Sequence, residues 1–162
     1  MLKISPKARV SELADIEESV RGTNIIIGDD VVIDAFVKIK PVGGTGDIII
    51  GNSCYINSGC VLYSGNGISI GEFVLIGPNC TIVPVNHEFY SKSQKIIEQR
   101  FSPSRGGIVI ENDVWIGAGV IILDGAILRK GCVVGAGSIV NKELPEYSIN
   151  IGNPVRTIDY RK

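Results

Sequence analysis

Between Ile110 and Val140 an aliphatic residue returns at every sixth position: Ile110, Ile116, Ile122, Leu128, Val134 and Val140. Four places after the aliphatic residue stands a second residue, mostly small: Val114, Val120, Ala126, Cys132 and Ser138. An amphipathic helix repeats every 3.6 residues and a half-buried strand every 2, so neither explains this period. A β-helix of six-residue repeats does. Each hexad is a short strand plus a corner, and three hexads close one triangular coil. The aliphatic residue fills the interior and the small one fits where the wall turns. Glycine directly after the aliphatic position (Gly117, Gly135) predicts corners with positive φ.

The same phase runs through the rest of the chain. It covers Ile4, Val10 and Ile16 with Ala8, Ala14 and Val20 at the small position, then Ile27, Ile33 and Ile39. Ile50, Ile56 and Leu62 follow, then Ile70, Ile76 and Ile82, then the two triplets from Ile110. The segment SELADIEES has some helical character, but the six-residue phase fits it better. The expected fold is all-β, a parallel helix of about six coils over residues 1–145, about 29 Å tall at the usual strand spacing. Every break in phase lies between the third hexad of one coil and the first of the next, so all insertions leave from one edge. RGTN, GGTGD and SGNG read as turns; Gly43–Gly46 is no phosphate loop, since no Gly-Lys-Ser/Thr follows. The insertion at about 86–107 is long, and a loop of that length in a regular fold usually carries function. Residues 146–162 read as a polar tail after the repeat has ended.

Composition narrows the class. Hydrophobic residues make up 44% and aromatics only 6%, as suits a narrow prism filled by isoleucine and valine. A net charge of −1 gives no electrostatic case for nucleic acid or an anionic membrane. No apolar run is long enough for a bilayer span, and MLKISPKARV lacks the apolar core of a signal peptide. The expectation is a soluble, cytoplasmic protein without membrane insertion. Cys54, Cys60, Cys80 and Cys132 each fall four places after an aliphatic residue, so they read as small buried hydrophobes. With no CxxC spacing, no metal is expected.

The repeats, the loop opening VNHEFY, the run NDVWIGAGVIILDGAILRKGCVVGAGSIV and the ending GNPVRTI together resemble the hexapeptide-repeat acyltransferases. The likeness is nearest to the galactoside, maltose and polysaccharide O-acetyltransferases. The resemblance implies a left-handed β-helix, a homotrimer and acetyl-CoA as cosubstrate lying between subunits. The acceptor it implies is a carbohydrate hydroxyl, with an amino group of a nucleotide-linked sugar as the alternative. The one-histidine chain cannot supply the three ligands of a β-helix carbonic anhydrase.

The site residues follow from position and resemblance together. His87, the only histidine, opens the long loop, and imidazole with an ordinary pKa of about 6.5 can take a proton from a hydroxyl at neutral pH. The resemblance makes it the general base, with Glu88 or Glu98 available to orient it. By the same resemblance Asn57 binds the acceptor and the backbone N–H of Ala118 stabilises the oxyanion. Trp115, Gly135, Ala136 and Ser138 would line the path of coenzyme A, and Lys142 and Arg156 would face its phosphates. Some members carry a second arginine three places after the one matching Arg156. Here Asp159 stands there, and Arg161 is a possible substitute. The phase of the repeat puts Asn57, Ala118 and Ala136 on one edge of the prism and His87 on another. Around a threefold axis these edges meet between neighbours, which predicts a shared site.

Overall fold

The computed structural model describes residues 1–162. Strands of two to five residues form three sheets of seven, eight and six strands, and successive strands pass from one sheet to the next. The sheets are the faces of a triangular prism. Face one begins with Leu2–Ile4, face two with Arg9–Val10 and face three with Asp15–Ile16. Pairing is parallel throughout, apart from the last strand of face two, Arg156–Tyr160. The winding is left-handed. The right-handed rule for parallel crossovers rests on strand twist feeding a crossover helix; strands this short, joined by tight corners, carry little of that constraint.

The six-residue phase places the interior. Ile33, Ile56, Ile76, Ile116 and Val134 stack in register on face two, and each is at most 1% exposed. They belong to one apolar cluster of 31 residues. The four cysteines are buried free thiols inside it. Burial pushes the Cys132 thiol up to about 12. The first coil has no neighbour on its outer side. Ile4 is therefore 37% exposed, and Val20, expected at an inward small position, is 98% exposed.

The corners correct one reading. Gly117 and Gly135 do not take positive φ; the left-handed residue comes two places later, at Gly119 (φ +67°) and Gly137 (φ +69°). Asp30, Phe36, Ser53, Phe73, Asn79 and Asp113 hold the same third place after an inward aliphatic residue and also take positive φ. Gly117 is glycine for lack of room: a Cβ there would stand 2.6 Å from the Ala136 amide nitrogen. At Gly135 it would stand 2.5 Å from Ile151 Cγ2.

The wall also continues past Val140. Glu143–Leu144 adds to face one and Ser148–Ile151 to face two, so a boundary at 145 and 146 falls within the wall. Arg156–Tyr160 folds back antiparallel on Ser148–Ile151. The closing coil is polar inside. Asn150, fully buried, accepts a hydrogen bond from Thr157 Oγ1 at 2.6 Å and donates to the Val133 carbonyl at 3.1 Å and Ser148 Oγ at 2.8 Å.

Candidate active site

The long insertion leaves face three after the strand Thr81–Val83 and returns to face one at Ile108–Ile110. Its stems pair antiparallel. His87 bridges Phe101, Glu88 N–H donates to the Arg100 carbonyl at 3.0 Å, and Ser102 N–H donates to the Asn86 carbonyl at 2.9 Å. Between the stems lie a one-turn helix, Ile96–Gln99, and Gln99, whose side chain bonds both backbone groups of Ser91.

This hairpin holds the His87 ring. Nδ1 lies 3.1 Å from the Arg100 carbonyl oxygen, and the ring packs against Phe101 at 4.9 Å between centroids. A carbonyl only accepts, so this geometry assigns a proton to Nδ1 and makes Nε2 the basic atom of the neutral ring. Neither glutamate considered for that orienting role touches the ring. Glu88 accepts from the N–H groups of Phe89 and Tyr90, and Glu98 faces Lys95 at 3.8 Å.

Asp124 fastens the returning stem, a role that no motif in the sequence marks. It is 1% exposed. Its Oδ2 accepts from Arg105 N–H at 2.8 Å and Asn66 Nδ2 at 3.1 Å, and its Oδ1 accepts from Gly107 N–H at 2.9 Å. A buried carboxylate with three donors fixes the loop base to the wall.

The second group of residues lies on the edge between faces two and three. Asn57, Ala118 and Ala136 sit in the turns that follow the strands Tyr55–Ile56, Trp115–Ile116 and Val133–Val134. Asn57 is offset by one place: it stacks over Gly77, Gly117 and Gly135, while Ala118 stacks over Ala136, as the paired strands dictate. The Asn57 amide donates to the Ile76 carbonyl at 2.7 Å, which fixes its orientation and leaves Oδ1 open to a donor. The Ala118 carbonyl accepts from Gly137 N–H at 2.9 Å, whereas the Ala118 N–H has no partner in the chain. Ala118 and Ala136 are exposed, so an amide donor without a partner lies at the surface beside a strip of bare backbone.

The other sequence candidates divide. Arg156 opens the last strand opposite Ile151, at the foot of this column, where Ile151 packs over Gly135. Trp115 points outward from face two between Leu75 and Val133 and is 52% exposed. Lys142 lies on the edge between faces three and one, the edge of His87, between the strands Ile139–Val140 and Glu143–Leu144. Ser138 is a correction. It is fully buried; its hydroxyl donates to the Gly135 carbonyl at 2.6 Å and accepts from Gly152 N–H at 2.9 Å, so the side chain ties coils together inside the wall and does not reach the surface. Arg161 does not take the place vacated by Asp159. Its guanidinium donates to Asp113 Oδ2 at 2.9 Å and the Gly131 carbonyl at 3.0 Å, on the edge between faces one and two.

Within one chain, then, His87 and the unpartnered Ala118 N–H stand on different edges. An imidazole nitrogen and a free backbone N–H are groups that acyl transfer can use, the one for a proton and the other for a developing oxyanion.

Comparison with known proteins identifies the family. The family Bacterial transferase hexapeptide (six repeats) matches residues 107–142. The chain is 34% identical over 111 residues to the galactoside O-acetyltransferase of Lactococcus lactis, a match covering 68% of this chain and 52% of that one. It spans about half the length of the first curated relatives it matches. Among solved structures, AntD, an N-acyltransferase from Bacillus cereus in complex with dTDP and 3-hydroxybutyryl-CoA, is 28% identical with a TM-score of 0.82, over 99% of this chain and 83% of that one. A hexapeptide-repeat-containing acetyltransferase of Vibrio cholerae, complexed with acetyl coenzyme A, is 30% identical with a TM-score of 0.71, over 84% of this chain and 70% of that one. With the six-residue wall shared over that length, the protein belongs to the hexapeptide-repeat acyltransferases.

Proposed function

We propose that the protein transfers an acetyl group from acetyl-CoA to a hydroxyl of a carbohydrate, at a site shared between neighbouring chains of a homotrimer. The observation that carries this reading is the contact of His87 Nδ1 with the Arg100 carbonyl. With Nδ1 bonded to the Arg100 carbonyl, Nε2 is free to take the hydroxyl proton. The alkoxide attacks the thioester carbon, the Ala118 N–H of the adjacent chain holds the oxyanion, and collapse expels the coenzyme A thiolate. His87 returns the proton to that sulfur. Asn57 Oδ1 accepts from an acceptor hydroxyl. No acyl-enzyme is required, and the four interior cysteines are poorly placed as nucleophiles. Arg156 and the neighbour's Lys142 face the phosphates of coenzyme A, whose arm lies along Gly117, Gly135 and Ala136.

The assembly brings face three to the threefold axis. Its outward side chains Val61, Thr81, Ile121 and Ile139 form a register-aligned, largely apolar ladder suited to burial against copies of itself. That arrangement sets the Asn57–Ala118 edge of one chain against the His87 edge of the next. Acetyl-CoA turnover with a panel of sugars, read as free thiol, tests the activity. Release without any acceptor dependence would remove the transferase reading.

The likeness to AntD supports one rival, transfer to the amino group of a nucleotide-linked sugar. An amine needs less help from a base, so a weak dependence on His87 would favour it.

A further inference from the structure

The column on the edge between faces two and three changes character at Asn57. Toward the carboxyl end it is Gly77, Gly117 and Gly135, bare backbone. Toward the amino end the same place holds Asp34 and then Ser11, following Ile33 and Val10 in register. Beside these two lies an open cleft of about 560 Å³ on face two, lined by Arg9, Val10, Val32, Asp34 and Tyr55 among others.

Three polar groups in this cleft have capacity to spare. Asp34 is half-buried; Oδ1 accepts from Ala35 N–H and Oδ2 from Ser58 Oγ, each at 2.9 Å. A carboxylate offers about four acceptor positions, so about two stay open. Arg9 enters no ion pair in the chain. Tyr55 stands beside Val32 and is 38% exposed, presenting a ring and a hydroxyl without a partner. An apolar floor, an aromatic ring and a carboxylate with open lone pairs suit a pyranose, which has one apolar face and a rim of hydroxyl donors.

We infer that this cleft is the subsite for a second sugar ring of the acceptor, so the substrate is a glycan of two or more linked rings rather than a single sugar. The inference rests on the proposed sugar acceptor. Asp34 stands one coil from Asn57, about 4.8 Å, and Arg9 two coils from Tyr55, about 10 Å. A ring held at Asn57 with its reacting hydroxyl toward Ala118 places the next ring beside Asp34 and Tyr55. Asp34 takes a pair of its hydroxyls, Tyr55 its apolar face, and Arg9 donates to its outer oxygens.

The test compares single-ring with two-ring acceptors: methyl β-galactoside with lactose, and methyl α-glucoside with maltose. Thiol release gives kcat/KM, and saturation-transfer NMR in the presence of coenzyme A gives binding. In the wild type the two-ring member of a pair exceeds the single-ring member about tenfold, and Asp34→Asn cuts that ratio about tenfold, as loss of charge-assisted hydrogen bonds would. Tyr55→Phe, which keeps the ring, retains more of the ratio than Tyr55→Ala. Equal rates and equal binding for both ring numbers overturn the inference and leave acetyl transfer intact. Two-ring binding that depends on Asp34 without any acetylation upholds the subsite and overturns the transfer reading. A dTDP-sugar bound in place of both, and lost in Arg9→Gln, overturns the glycan subsite in favour of a diphosphate one.

Discussion

A Cβ on Gly77 would lie 2.7 Å from the amide nitrogen of Ala118. The two residues come from neighbouring coils, and the glycine keeps the edge between faces two and three free of a side chain beside the unpartnered Ala118 amide. Gly77→Ala must push that backbone aside. We expect turnover to fall about 10²–10³-fold, the usual worth of one oxyanion donor, in a protein that still folds. Turnover near wild type in a folded Gly77→Ala variant would mean that the Ala118 N–H carries no charge in the reaction.

His87→Ala removes the base. Turnover should fall about 10²–10⁴-fold, with acetyl-CoA affinity little changed because the ring acts on the proton. Steady-state kinetics with a titration of coenzyme A separate the two. A variant within about threefold of wild type would point to an amine acceptor, for which a base matters less.

Asp124→Asn turns a three-donor acceptor into a side chain whose amide faces an N–H. Leaving a buried donor unmet costs about 1–3 kcal/mol, spent here on the loop base rather than on the wall. Trypsin should then cut at Arg100 or Arg105 several times faster than in the wild type, and turnover should drop with the thermal midpoint nearly held. Unchanged cleavage would show that the stem does not depend on this carboxylate.

Much of this was legible in the residues. The period of six located the interior, and the phase breaks located the edge from which His87 departs. The pattern failed where shape rather than polarity decides. Gly117 looked like a flexible corner but is small because Ala136 stacks against it. The last coil escaped because its spacing changes between Leu128 and Leu144 and because Asn150 is a polar residue in an inward place. Asp124 and Ser138 are polar residues with partners distant in sequence (Asn66, Arg105 and Gly107 for one, Gly152 for the other), which no local pattern displays.

The acid limit of stability should carry the mark of Glu111. The Arg129 guanidinium at 2.9 Å, helped by the Lys130 N–H at 2.7 Å, holds its carboxyl below the usual glutamate range. A carboxylate depressed in the fold stabilises it above the unfolded value of about 4.3 and loses that contribution as pH falls through the folded value. Urea midpoints of wild type and Glu111→Gln should differ steadily from neutral pH to about pH 5 and converge below about pH 4. A gap that persists to the lowest pH would assign the loss to packing instead.

A shared site requires that His87 of one chain serve the Asn57–Ala118 edge of the next. Mixed trimers of His87→Ala and Asn57→Ala measure it directly. Each variant alone should be nearly inactive; refolded together in equal amounts, random assortment around a cyclic trimer gives about a quarter of the sites a wild-type pair. Recovery of about a quarter of the wild-type activity is the predicted result. No recovery above the separate variants, in a mixture shown by mass to have exchanged subunits, would place both residues of each site on one chain and contradict the shared site.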